Sequence, residues 1–139
     1  MASPALAETF IFADLKDATQ EETSFDPEQY KDMDSVWVVF QKGCSTCHKV
    51  LKESSCYVRK NKVAVIALGL YDTPSELLKD ARKHGFKGPV VTSGEAVDVK
   101  FNLEVTPTTF VMRKNQLSKK FEAYVSCAKI KSALKKRGY

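Results

Sequence analysis

No apolar run in this sequence approaches the roughly 20 residues that a membrane-crossing helix needs, so no helical span is expected within it. There is no internal repeat and no low-complexity segment. Charge of one sign is not gathered into a block: the net charge is +5, but the basic residues are spread along the chain. The densest group is Lys129, Lys131, Lys135, Lys136 and Arg137, in the last expected helix, where cations suit the dipole of a helix C-terminus. Aromatic and basic residues do not interleave, so a base-stacking surface is not indicated and no nucleic-acid partner is expected. What remains is a chain of 139 residues with 43% hydrophobic content. That is enough for one domain spanning 1–139 with a core that needs no cysteine staples.

The chemistry concentrates in the stretch Val36 to Leu51 (VWVVFQKGCSTCHKVL). Val36 to Phe40 is a short apolar run and reads as a strand buried on both faces. A turn with Gly43 follows, then a helical pattern carrying Cys47, Val50, Leu51 and Val58 along one side. Cys44 therefore falls where a strand hands over to a helix. The unpaired N–H groups and positive dipole end at such a point favour a thiolate, lowering a cysteine pKa from about 8.5 to roughly 3.5–7.5. Cys47, one turn further in, is more covered and placed to attack a mixed disulfide at Cys44. The pair reads as a thiol–disulfide exchange site, which calls for no cofactor.

Other chemistries share the pattern. Cys44-x-x-Cys47-His48 also matches c-type haem attachment, but a haem protein favours a helical wrap, and here a central strand precedes the pair. Zinc needs two further ligands, and Cys56, His84 and Cys127 lack the spacing of a second ligand pair. The alternative to an enzyme is accordingly a module that holds a metal or haem through Cys44, Cys47 and His48 without redox catalysis. An inert bridge across so short a loop would constrain little of the unfolded chain.

Elsewhere, Thr9 to Leu15 reads as a short strand, Asp17 to Glu22 as a polar turn, and Ser24 to Lys31 as a connector or single helical turn. Lys62 to Leu70 (KVAVIALGL) is a second central strand, parallel to the first because a helix-length segment joins them. Thr73-Pro74-Ser75-Glu76 is a capping box with proline at the first helical position. Leu77, Leu78 and Ala81 supply the apolar side of that helix, Gly85 closes it, and His84 near its end suits the dipole. Pro89 to Thr92 gives a short strand, Ala96 to Asn102 a turn of helix or irregular chain, and Thr108 to Arg113 a strand. Ser118 to Val125 is its antiparallel partner across Asn115. Ser126 caps a last helix with Ile130, Ala133 and Leu134 on its buried face. This order implies an α/β fold with a mixed sheet covered by helices on both faces. Residues 1–8 read as a disordered end or the remnant of a removed export signal, because Ala5-Leu6-Ala7 resembles a small-x-small cleavage site. Four cysteines in a small domain suit an oxidising compartment, so a periplasmic or otherwise exported location is expected.

The cysteine pair at a strand-to-helix junction, with Val105-Thr106-Pro107-Thr108-Thr109-Phe110 opening a later strand, resembles the thioredoxin superfamily. More narrowly, the chain is similar to the TlpA/ResA-like branch of exported thiol–disulfide oxidoreductases, over about residues 9 to 137. The narrower likeness rests on the extra helix and strand in KVAVIALGLYDTPSELLKDARKHGFKGPVV, ahead of the proline turn. It implies a thioredoxin-like fold with an N-terminal extension and a TlpA-type inserted helix and strand. Cys44 would be the nucleophile and Cys47 the resolving thiol. Pro107 would be cis, with Thr106 offering backbone groups to a bound substrate strand; taken by itself, Pro107 reads equally well as a strand-start proline. Partners would be protein thiols or disulfides and a redox partner protein, met by a monomer.

The chain departs from the family pattern. Lys42-Gly43 stands where the family usually has tryptophan before the first cysteine. The buried carboxylate of thioredoxin-type strands is missing, since Val36 to Phe40 are all apolar. Val50 replaces the glutamate of ResA-like members, and Glu53 reads as a solvated helix residue. Deprotonation of Cys47 then falls to water or to His48, which lies four residues from Cys44 and, protonated, would stabilise its thiolate. In such folds the helices carrying Cys56 and Cys127 share a sheet face. Whether these two are bonded or are separate buried thiols stays open, with separate thiols slightly favoured.

Overall fold

A computed structural model describes residues 15–18, 23–24, 27–59, 62–93, 105–114 and 116–135. Seven strands form one mixed sheet: β1 Leu15–Asp17, β2 Thr23–Ser24, β3 Asp34–Gln41, β4 Val63–Leu70, β5 Val90–Ser93, β6 Thr108–Arg113 and β7 Gln116–Glu122. Among the described residues three α-helices accompany them: α1 Ser45–Glu53, α2 Pro74–Lys83 and α3 Cys127–Lys135. The strand order is β2-β1-β5-β4-β3-β6-β7. β3, β4 and β5 run parallel; β6 and β7 on one side, and β1 and β2 on the other, are antiparallel to their neighbours.

β3 and β4 are central because their side chains are apolar on both faces. Their alternation separates two cores. Val36, Val38, Phe40, Val65 and Ala67 face Cys47, Val50 and Leu51 of α1, Leu77 and Ala81 of α2, and Ile130 and Leu134 of α3. Trp37, Val39, Ile66 and Leu68 face the other way with Phe110 and Met112, and Tyr30 of the 3₁₀ turn Pro27–Tyr30 packs onto them. Burying each such aliphatic side chain contributes about 1.5–3 kcal/mol. The Trp37 indole N–H donates to Ser35 Oγ at 2.9 Å, so the largest buried side chain carries its own partner. Residues 96–102, read from sequence as a turn of helix or irregular chain, lie outside the described residues, as do residues 1–8 and all of the expected strand Thr9 to Leu15 except Leu15.

Helix boundaries follow local chemistry. Thr73 caps α2, its hydroxyl accepting the Glu76 N–H at 3.2 Å, with Pro74 at the first helical position. Only half of the expected capping box forms, because the Thr73 N–H goes to Asp72 Oδ1 at 2.8 Å and the Glu76 carboxylate goes elsewhere. α1 is shorter than its apolar pattern suggests. Ser54 Oγ donates to the Leu51 carbonyl at 2.6 Å, the chain tightens into a 3₁₀ turn to Cys56, and Val58 lies beyond it, 46% exposed. Ser126 Oγ accepts the Lys129 N–H at 3.3 Å at the start of α3. β7 ends at Glu122, earlier than expected, because Ala123 takes a φ of 61° and turns its N–H to the Pro107 carbonyl. The polar segment after Leu15 is a hairpin rather than a turn alone, with Asp17 opposite Thr23. Gly69 in β4 has no room for a side chain: a Cβ would stand 2.7 Å from Leu77 Cδ1.

Cys56 and Cys127 are joined in a disulfide, their Cα atoms 6.4 Å apart, so the reading of two separate thiols does not hold. The bridge ties the 3₁₀ turn after α1 to the first turn of α3. A loop with a sequence separation of 71 is worth about 4 kcal/mol in the chain-entropy model. The Cys56→Ser/Cys127→Ser double variant should therefore lose about 2–4 kcal/mol of stability. Urea titration under non-reducing conditions measures this, and a loss under about 1 kcal/mol would contradict a structural role for the bridge.

Candidate functional site

Parallel strands leave the sheet at the same edge, so the carboxyl ends of β3 and β4 bring the starts of α1 and α2 together. β6 runs antiparallel to β3, and the pairing of Val39 with Thr108 sets the segment preceding β6 at that same edge. Three connections thus converge: Lys42 to Cys44, Tyr71 to Thr73, and Val105 to Pro107.

Gly43 turns the chain out of β3 with φ +78°, a conformation that side chains resist. Cys44 is the N-cap of α1, extended at φ −85° and ψ 104°, and its sulfur accepts the Cys47 N–H at 3.2 Å. Sulfur here takes the place usually held by a serine or aspartate oxygen. Cys44 and Cys47 are joined in a disulfide with Cα atoms 5.2 Å apart. The two sulfurs differ in access: Cys44 is half-buried, whereas Cys47 is fully buried against the α1 face of the core. The Thr106–Pro107 peptide bond is cis, and the Thr106 carbonyl oxygen lies 3.9 Å from Cys44 Sγ. Cys44, Cys47, Thr106 and Pro107, far apart in sequence, meet at one edge.

The surroundings are polar on the outside. Lys42 Nζ donates to Glu76 Oε2 at 2.9 Å, bridging the turn before Cys44 to the first turn of α2. Each partner reinforces the other's charge, with the hydrogen bond as the main cause: the lysine is held above its ordinary pKa and the glutamate below. Both are well exposed, so the bridge orients rather than stabilises. Glu53, read from sequence as solvated, accepts the Tyr124 hydroxyl at 2.6 Å, and that hydrogen bond raises the tyrosine's pKa. Lys49 sits 4.5 Å above the Tyr124 ring.

His48 is placed by α1 one turn beyond Cys44, its N–H bonded to the Cys44 carbonyl at 3.0 Å. Its ring is engaged on the α2 side: Nε2 lies 2.7 Å from Asp80 Oδ2, and the ring stacks on His84 with centroids 3.4 Å apart. Among the described residues these are the donors that come together, and neither Cys44 nor Cys47 is among them. α2 thus brings a buried carboxylate, Asp80, to His48. Sequence reading missed Asp80, although its spacing held the signal. Positions 77, 80, 81 and 84 fall on one helical face, so a face carrying Leu77 and Ala81 also carries Asp80 and His84.

A mixed sheet with a cysteine pair capping a helix beside a cis-proline connection can be compared with known structures. The chain has the thioredoxin-like fold. The thioredoxin-like structures similar to it include DsbF of Mycobacterium tuberculosis, with a TM-score of 0.75, 12% identity, and coverage of 96% of this chain and 97% of that one. A secreted disulfide oxidoreductase of Mycobacterium tuberculosis, homologous to E. coli DsbE, has a TM-score of 0.72 at 11% identity, covering 89% and 95%. StoA of Bacillus subtilis has a TM-score of 0.67 at 15% identity, covering 87% and 96%. No protein-family model matches the sequence, and no curated protein does. At these identities the likeness is one of fold.

The difference in burial makes a direct prediction. After reduction, iodoacetamide should modify Cys44 at least about tenfold faster than Cys47, because Cys44 is only half-buried at the helix N-terminus and Cys47 is fully buried. Peptide mass spectrometry over a time course reads the two rates, and equal rates would contradict the described access.

Proposed function

We propose that this chain is a protein thiol–disulfide oxidoreductase in which Cys44 is the nucleophile and Cys47 the resolving thiol. The observation that carries this reading is the asymmetry of the pair. Half-buried Cys44 caps α1 beside Thr106, and its partner is fully buried one turn behind it. In the reducing direction the Cys44 thiolate attacks one sulfur of a substrate disulfide in line, and the other leaves as a thiolate that takes up a proton. Cys47, losing its proton, then attacks Cys44 Sγ and displaces the second substrate sulfur. Two electrons pass to the substrate and the Cys44–Cys47 bond forms; a redox partner protein reverses the change. Oxidation of substrate thiols is the same sequence run backwards.

The segment Val105 to Pro107 supports docking of an extended substrate strand, with Thr106 offering its backbone groups beside the sulfur. His48, one helical turn from Cys44 and hydrogen-bonded to Asp80, is the residue that in its protonated form stabilises the Cys44 thiolate. About 1.4 kcal/mol of such stabilisation moves a two-electron potential by roughly 30 mV. Two disulfides in a chain of this size favour an oxidising, extracytoplasmic compartment. The neighbour described as secreted is of the same fold.

Cys44→Ala should abolish reduction of insulin disulfides by the dithiothreitol-reduced protein. Cys47→Ala should instead accumulate mixed disulfides with substrate proteins, visible as bands lost on treatment with reductant. Full activity in Cys44→Ala would overturn the assignment of the nucleophile.

A further inference from the structure

The chain has two histidines, and the fold brings them into ring contact around one carboxylate. His48 lies in α1; Asp80 and His84 lie one turn apart at the end of α2. We propose that His48, Asp80 and His84 form a binding site for a divalent ion of the zinc class. The site is independent of whether the Cys44–Cys47 pair cycles.

One donor atom from each residue lies within 4.8 Å of the others. His48 Nε2 stands 2.7 Å from Asp80 Oδ2, and His84 Nδ1, at 3.8 Å from Asp80 Oδ1, sets the second ring beside the carboxylate without being its ligating atom. Access is graded: the side chains are 8% exposed at Asp80, 12% at His48 and 34% at His84. The carboxylate is thus held at the floor of the site and one imidazole at its mouth. Two imidazoles and a carboxylate are the borderline nitrogen and oxygen donors that zinc-class ions prefer, whereas calcium and magnesium want oxygen alone. Three protein ligands leave one coordination position open.

The proton positions are constrained by the partners. His84 Nδ1 lies 2.9 Å from the Asp80 carbonyl oxygen, which only accepts, so Nδ1 carries the hydrogen and the ring's lone pair sits on Nε2. That bond is the kind of outer contact that fixes the tautomer of a ligating histidine. Between His48 Nε2 and Asp80 Oδ2 a proton is shared, and the ion takes its place, releasing that proton to solvent. Ligation through Nε2 requires the His84 ring to leave its stack on His48, the one rearrangement the site calls for. Binding therefore ties α1 to α2 next to Cys47.

The fully oxidised protein is the material for the test. Both disulfides then keep all four cysteines out of the ligand set. Calorimetric titration of tag-free protein with Zn²⁺ should show one ion per chain, with a melting temperature that rises with Zn²⁺ concentration. His84→Ala, a change at the exposed mouth that spares the core, should weaken binding at least tenfold. With Cu²⁺ as probe, electron paramagnetic resonance should show two coupled imidazole nitrogens, and one in His84→Ala. No saturable one-to-one transition with the wild type, or a weakening under tenfold in His84→Ala, would overturn the site.

Discussion

The parallel pairing of β3 with β4 is the constraint on which the rest depends. Both strands are apolar on both faces, so they are stable only with other elements on each side. Being parallel, they deliver their carboxyl ends to the same edge of the sheet. Both following helices must start there, with their unpaired N–H groups turned outward. The cysteine pair, the Lys42–Glu76 bridge and the connection before β6 share an edge for that reason. One register, Val36 beside Val65 and opposite Val111, sets all three connections at once.

Much of this was legible in the chain itself. The β-branched runs at Val36 to Phe40 and Lys62 to Leu70 could hardly be anything but buried strands. Thr73-Pro74 announces the start of α2 by local chemistry alone. The cysteine pair was visible because a strand and a helix flank it directly. What escaped was non-local. The strand Thr23–Ser24 exists only through pairing with Lys16 and Asp17, which no periodicity in a polar segment reveals. The bonding of Cys56 to Cys127 depends on where two helices land on a common sheet face. The early ends of α1 and β7 were hidden for a different reason. A serine hydroxyl and a left-handed alanine stopped elements whose apolar pattern ran on.

Asp80 shows how a buried polar group can sit in an unremarked position. The family resemblance directs attention to a carboxylate in the central strand or three residues beyond Cys47, and both places are apolar here. α2 carries a buried carboxylate of its own, Asp80, and also brings the second histidine. That helix thereby supplies a buried carboxylate that reaches the helix of the cysteine pair through His48. His48 links the two, because it follows Cys47 in α1 and meets Asp80 through its ring.

The Cys56–Cys127 bond has a topological consequence. It closes the backbone into a ring that contains β4, α2, β5, β6 and β7. A protease cut anywhere inside that ring leaves one covalent molecule, its two pieces still stitched across the sheet. Escape of a fragment then demands both a nick and a reductant, so the oxidised chain carries an insurance against clipping that its thiol form lacks.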